Sequence, residues 1–331
     1  MSDRLGEYRR RRDSRRTPEP VPDRVRRGRP GNRFVVQQHH ARRLHWDLRL
    51  ERDGVLVSWA VPRGLPRDSN RNHLAVHTED HPLEYLTFSG EIPKGEYGGG
   101  RMTIFDHGTY SCDKWRDDEV SVTLRGDRVS GRYVLFHTDG RNWMVRRTDP
   151  PPPGWSSMPD LVRPMLATRA DRLPADDEAW AYEMRWDGTR AVAYVSGGRL
   201  RLVGADDEEI TADHPQLRQL AEQLAPAEAV LDGELVELDA GRGTSRQYLI
   251  TDLLWLEGVP SVDLPYAQRQ ELLAGLSLAG PNWQTPPHFT GGGEFAVRAS
   301  REQGLAGVLA KRLDSRYQPG RRSRDWLSVD T

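Results

Sequence analysis

The chain has 331 residues, 29% of them charged, and a formal net charge of −1. That length accommodates two ordinary domains, and no apolar run approaches the roughly 20 residues that span a bilayer, so a membrane-spanning protein is not expected. A polar, Arg-rich N-terminus argues against a secretory signal, and a lone cysteine, Cys112, cannot form an internal disulfide; a cytoplasmic protein is expected.

The near-neutral total hides an asymmetry. Residues 1–50 carry fifteen Arg against six Asp or Glu, so this segment is basic and the remainder acidic. Basic arms of this kind bind nucleic acid or another polyanion, or are simply solvated tails. Lysine is scarce: Lys94, Lys114 and Lys311 are the whole complement.

Residues 1–32 read as an extended arm, rich in Arg and Pro and without sustained periodicity. From residue 33 short alternating segments recur at 33–37, 44–50, 55–61, 74–77, 101–105, 121–124, 131–136 and 143–147. Gly, Pro, Asn or Asp punctuate many of the gaps, a pattern that predicts a small all-β barrel or sandwich. The run Pro150-Pro151-Pro152-Pro153-Gly154 stops regular structure, because proline supplies no ladder donor and restricts its neighbour. Residues 149–162 therefore read as an interdomain linker. Beyond it, strands are expected at 180–185, 191–195, 230–238 and 248–255, with helices at 214–224, 266–274 and 294–303. That mixture is an α+β domain.

The segment from Leu44 to Glu51 alternates cleanly. On a strand, Leu44, Trp46, Leu48 and Leu50 share one face while His45, Asp47, Arg49 and Glu51 share the other. Imidazole with carboxylate suits Mn²⁺, Zn²⁺ or a similar divalent ion, and Arg49 is spaced to grip a phosphate oxygen. His-x-Asp alone is a common pair, and a merely polar strand face is the competing reading.

Several motifs extend the pattern. His39, then His45-Trp46-Asp47-Leu48-Arg49 after five intervening residues, resembles the signature of the 3′-phosphoesterase module of bacterial non-homologous end-joining ligase D. Trp59-Ala60-Val61-Pro62-Arg63-Gly64, the run from Leu74 to Tyr85, Ile92-Pro93-Lys94-Gly95-Glu96-Tyr97-Gly98, and the arm segments around Tyr8–Asp13 and Thr17–Pro20 fit the same family, covering residues 4–148. The resemblance implies His39, His45 and Asp47 as metal ligands. It also implies Arg49, His81 and Tyr85 on the scissile phosphate, and Arg12, Asp13 and Glu19 of the arm completing the site. The implied activity is removal of 3′-ribonucleosides and 3′-phosphates to leave a 3′-hydroxyl, with manganese favoured. Partners would be DNA 3′ ends or primer-templates, together with Ku and an active ligase or polymerase. His73 stands where that family usually has a basic residue, which predicts weaker, pH-dependent phosphate affinity there. His40 and His77 are expected to be structural or surface residues.

Residues 163–331 resemble the nucleotidyltransferase domain of ATP-dependent DNA ligases, through Glu183-Met184-Arg185-Trp186-Asp187-Gly188, Leu231-Asp232-Gly233-Glu234-Leu235, Gly307-Val308-Leu309-Ala310-Lys311-Arg312 and Tyr317-Gln318-Pro319-Gly320-Arg321. The expected architecture is thus a β-barrel phosphoesterase domain (33–148) followed by an α+β nucleotidyltransferase domain. In that family a lysine nucleophile occupies the place of Arg185, and a guanidinium has no usable lone pair with which to attack phosphorus. Gly204 and Ala205, Thr251, Ala306, Ser328 and Asp330 also depart from the family pattern, and room for the oligonucleotide-binding fold that follows in that family is not expected. A degenerate adenylation site at Arg185, Asp187, Gly188, Glu234 and Lys311 is expected, with ATP not used. A basic cluster at Arg312, Arg316, Arg321, Arg322 and Arg324 contacts phosphates or is merely solvated.

Overall fold

The computed structural model describes residues 3–24, 31–151, 153–239 and 244–331; residues 25–30 of the expected arm and Pro152 of the expected linker lie outside them. The chain divides into two units, Met1–Pro153 and Gly154–Thr331.

The first unit is built on nine antiparallel strands: β1 (Arg33–His40), β2 (Leu44–Arg52), β3 (Val55–Val61), β4 (Asn72–His77), β5 (Gly90–Ile92), β6 (Gly100–Trp115), β7 (Glu119–Gly126), β8 (Ser130–Asp139) and β9 (Asn142–Arg147). They lie in the order β1-β2-β3-β4-β9-β8-β7-β6-β5, and β1 also pairs with β6. That extra pairing closes eight strands into a barrel and removes the free edges, with β5 left outside on β6.

The expected strand at 101–105 is far longer than its sequence suggests. Asp106-His107-Gly108 reads as a turn, yet β6 runs through it. The Asp106 carboxylate is buried and accepts backbone N–H groups from His107, Asp127, Arg128 and Val129, so it ties down the β7–β8 turn. At Gly108 a Cβ would meet the Arg125 carbonyl oxygen at 2.1 Å, so the missing side chain allows close strand approach.

The arm is not extended throughout. Residues Gly6–Arg10 form a short helix, and Leu5 and Tyr8 are buried beside Val35, Tyr85 and Met102. One and a half turns are too few to register as periodicity in a sequence.

The second unit carries two sheets. One contains five strands, with Trp180–Arg185 and Gly307–Arg312 near its centre; the other has Ala229–Asp239 and Thr244–Leu256 as its longest pair. Helices Arg218–Leu224, Tyr266–Gly275 and Gly293–Glu302 cover them. Trp155 packs edge-on to Trp255, the Ser156 amide donates to the Gly258 carbonyl, and Val162 is buried. The second half of the expected linker therefore packs as part of this unit. Among the described residues, no helix is long and apolar enough to cross a membrane.

A buried ion pair anchors the helix Tyr266–Gly275. Arg269 is fully buried and donates to both Asp252 oxygens, at 2.7 and 2.9 Å, and to the carbonyls of Leu264 and Ser315. Removing one partner strands the other charge in a dry interior. Arg269→Leu is expected to lower stability by about 3–5 kcal/mol in urea denaturation of the whole chain, and Asp252→Leu/Arg269→Leu to recover part of that loss.

A candidate metal centre beside a phosphate site

The β1–β2 ladder pairs His39 with His45, Gln37 with Asp47 and Val35 with Arg49. Directly opposed residues share a face, so His39, His45, Gln37, Asp47 and Arg49 all project to one side of the barrel wall. Trp46, Leu48 and Leu50 take the other side and are at most 2% exposed. The alternation read from sequence is borne out in β2, but the polar face is not solvated. Asp47, Arg49 and Glu51 are buried too, because the arm and the 3₁₀ turn Leu83–Thr87 lie over that side. The β1–β6 pairing shifts register between Val36 and Gln37, a bulge at the start of the polar row.

The ligand nitrogens and a carboxylate oxygen of His39, His45 and Asp47 lie within 4.8 Å of one another. His39 Nε2 is 2.8 Å from the Gly98 carbonyl and His45 Nδ1 is 3.0 Å from the Arg43 carbonyl. A carbonyl only accepts, so these nitrogens carry the protons. His39 Nδ1 and His45 Nε2 are left with lone pairs, 3.7 and 3.8 Å from the Asp47 oxygens. His39 Nδ1 is buried without a hydrogen-bond partner. Two imidazole lone pairs and a carboxylate, each second nitrogen held by a backbone carbonyl, fit a divalent transition ion. Burial opposes the Asp47 charge, yet Arg49 and then the two imidazoles outweigh it and hold the carboxyl well below its ordinary range.

Arg49 is fixed on two sides. Its Nε donates to Gln37 Oε1 at 2.7 Å and Nη2 to Asp47 at 3.0 Å, while Gln37 is itself held by the carbonyls of Tyr85 and Phe88. The third nitrogen, Nη1, is buried and unpartnered. A fixed guanidinium with one donor free, next to the candidate metal ligands, is suited to an anionic oxygen.

His81 is buried in the same cavity of about 230 Å³. Its Nδ1 faces the Glu79 carbonyl at 2.8 Å, and Nε2 is 3.4 Å from Arg12 Nη2. Burial, then the charges of Arg49 and Arg12, hold His81 well below the ordinary imidazole range, so the ring is neutral and Nε2 accepts. Tyr85 donates its hydroxyl to Glu19 and lays its ring 4.9 Å from the Arg49 guanidinium carbon. It supports Arg49 here, and its hydroxyl is already committed.

From the arm, Arg12 and Glu19 line the cavity. Arg12 donates to Glu19 at 2.7 Å and to Glu79 at 2.9 Å, and Glu19 accepts from Thr17 as well. Asp13 stays outside: it is exposed and caps the turn that follows it through the Arg15, Arg16 and Thr17 amides. His73 also stands apart, buried with its Nδ1 on the Gly64 carbonyl at 2.7 Å, so it does not supply the expected phosphate contact in this cavity. His40 is exposed, and His77 packs on Trp59 and Trp143.

In the second unit a cavity of about 540 Å³ is lined by Arg169, Arg185, Asp187, Gly188, Arg190 and Glu234, among others. Arg185 is tied to Asp187 at 3.0 Å, Asp330 at 2.5 Å and Ser328 at 2.9 Å; Arg169 also pairs with Asp330. Lys311 is fully buried 2.7 Å from Glu183, outside that lining.

Residues 37–137 match the DNA Ligase D 3′-phosphoesterase domain, and residues 164–329 match the ATP dependent DNA ligase domain. Over 99% of its length the chain is 46% identical to the multifunctional non-homologous end joining protein LigD of Mycobacterium bovis, and over 98% it is 32% identical to that of Pseudomonas aeruginosa. It spans 45% and 47% of those relatives, about half their length. A solved structure described as mycobacterial DNA ligase D complexed with ATP and MES is 39% identical, covering 51% of this chain and 60% of that one, with a TM-score of 0.48.

Mn²⁺ titration followed by electron paramagnetic resonance is expected to find one site per chain. Asp47→Ala and His39→Ala should each weaken it at least tenfold, while His40→Ala leaves it in place; equal affinity in all four proteins contradicts the assignment.

Proposed function

Since the chain belongs to the ATP-dependent DNA ligase family through residues 164–329 and carries a ligase D 3′-phosphoesterase domain ahead of them, we propose that its first unit is a metal-dependent phosphoesterase trimming DNA 3′ ends for end joining. The substrates are a 3′-terminal ribonucleoside or 3′-phosphate on a primer-template, and the product is a 3′-hydroxyl. The observation that carries this reading is a pair of unpartnered buried atoms, His39 Nδ1 and Arg49 Nη1, on one strand-pair face and lining one cavity with His81.

His39, His45 and Asp47 would hold a divalent ion, manganese by preference, which when bound would supply Lewis-acid polarisation of the phosphoryl group. Arg49 donates Nη1 to a non-bridging oxygen, and its charge stabilises the transition state as negative charge gathers there. Gln37 and Tyr85 hold that guanidinium so that no reorientation is needed during reaction. His81, neutral with its Nδ1 proton held by the Glu79 carbonyl, takes at Nε2 the proton released by the water that attacks phosphorus and returns it to the departing oxygen. Glu19, Arg12 and Glu79 lock the arm across the cavity.

The ligase-like unit is proposed to lack ligase chemistry and not to use ATP. Arg185 stands in the nucleophile's place, and its guanidinium is neutralised by Asp187 and Asp330. Partners in this reading are DNA ends, Ku and an active ligase or polymerase.

A labelled primer-template ending in a ribonucleotide or a 3′-phosphate should be converted to a 3′-hydroxyl in Mn²⁺ and not in EDTA. Arg49→Ala is expected to slow that conversion by about 10²–10³-fold. DNA binding without any metal-dependent conversion would instead favour a non-catalytic end-binding scaffold. Incubation with α-labelled ATP should leave the chain unlabelled; a stable AMP adduct would revive the ligase reading.

A further inference from the structure

The loop 93–99 contributes to the cavity twice. The Gly98 carbonyl fixes the His39 tautomer, and Tyr97, one residue earlier, stands at the cavity wall. The loop is rigidly turned. Gly98 has φ +78°, a left-handed value, and a Cβ on Gly99 would lie 2.8 Å from the Pro93 carbonyl oxygen. The ring of Tyr97 is therefore held one residue from a group that orients a metal ligand.

Tyr97 is 45% exposed, the most exposed aromatic among the cavity residues and among the largest exposed apolar side chains of the unit. The Arg11 guanidinium carbon lies over its ring at 4.7 Å, and that of Arg12 is 5.3 Å away. Its hydroxyl lies 3.4 Å from the buried Glu79 carboxylate, which also accepts from Arg11 and Arg12. Braced by Arg11 and Glu79, the Tyr97 ring keeps about half of its surface open to solvent at the cavity wall, a flat surface that another planar group can cover.

We propose that Tyr97 is a positioning residue: it stacks on the nucleobase next to the scissile phosphate and so sets the distance between that base and the metal centre. The proposal rests on the phosphoesterase reading and adds the part of the substrate that the metal and Arg49 do not touch. Stacking on an aromatic face tolerates any base, so Tyr97 gives preference for a nucleotide over a bare phosphoester without sequence preference. The Arg11 guanidinium over the ring adds its charge to the same surface.

The test compares steady-state kinetics of the full chain in Mn²⁺ on two primer-templates, one with a normal 3′-terminal base and one abasic at that nucleotide. Tyr97→Leu is expected to raise KM on the normal substrate by about five- to a hundredfold, with kcat changed far less. Tyr97→Phe keeps the ring but loses the hydroxyl, and should stay within about threefold of the parent KM. On the abasic substrate the parent chain should already show the raised KM, and Tyr97→Leu should add nothing to it. Equal penalties for Tyr97→Leu on both substrates, or for Tyr97→Phe and Tyr97→Leu alike, would mean that the residue only braces the loop and overturn the proposal. If the leucine variant does not fold, the parent's own normal-to-abasic KM ratio decides: a ratio near one rejects stacking. A parent chain that turns over neither substrate rejects the phosphoesterase reading itself, a result distinct from any of these.

Discussion

The antiparallel pairing of β1 with β2 sets His39 against His45 and Gln37 against Asp47, and the candidate ligand set and the anchoring of Arg49 by Gln37 and Asp47 depend on those two rungs. Side chains alternate with a period of two, so a slip of one residue would turn Asp47 and Arg49 into the packed wall and expose Trp46 and Leu48. The apolar row Trp46, Leu48, Leu50 thus specifies the position of the polar row behind it. Closure of the barrel through β1 and β6 removes the remaining freedom, since β1 is hydrogen-bonded on both sides.

A buried polar row is stable only if its members satisfy one another. Here they do, with chosen exceptions. Gln37 satisfies one nitrogen of Arg49, Asp47 another; backbone carbonyls take one nitrogen from each histidine. What is left over faces the cavity: one imidazole nitrogen from each histidine, His39 Nδ1 and His45 Nε2, and the guanidinium nitrogen Nη1 of Arg49. The arm seals this arrangement by ion pairs of Arg12 with Glu19 and Glu79, all three side chains at most 5% exposed. The arm's Arg content therefore serves the fold at Arg12, and among the described residues of the arm the reading of a purely solvated tail does not hold for Leu5, Tyr8, Arg12, Thr17 and Glu19.

Much of this was legible in the sequence, and the misses have physical causes. The His45–Arg49 alternation marks the polar face, because strand periodicity is a local property. Partnership between strands is not local, so Gln37 passes as an ordinary strand residue until its rung with Asp47 is known. Glu79 and Tyr97 lie within the family-like motifs, but nothing in their spacing distinguishes a buried carboxylate or a cavity-wall ring from a loop residue. Asp13 was drawn into the expected site by its neighbour Arg12, whereas its short side chain is spent on capping a turn. The Gly307–Arg312 motif is recognised in sequence, yet the pairing of that strand with Arg322–Asp330 comes only from the fold. In the second unit the Arg185 guanidinium is bridged to Asp187 and Asp330, and Arg169 shares Asp330 with it.

In the proposed centre one ion is held by both histidines of the His39–His45 rung. Electron spin-echo modulation of Mn²⁺ bound to the chain, prepared with ¹⁵N-labelled histidine, measures this directly. Two imidazole nitrogens coupled to a single Mn²⁺, reduced to one by His45→Ala, is the expected result. Manganese that shows no histidine nitrogen coupling, or coupling that His39→Ala and His45→Ala leave unchanged, would contradict it.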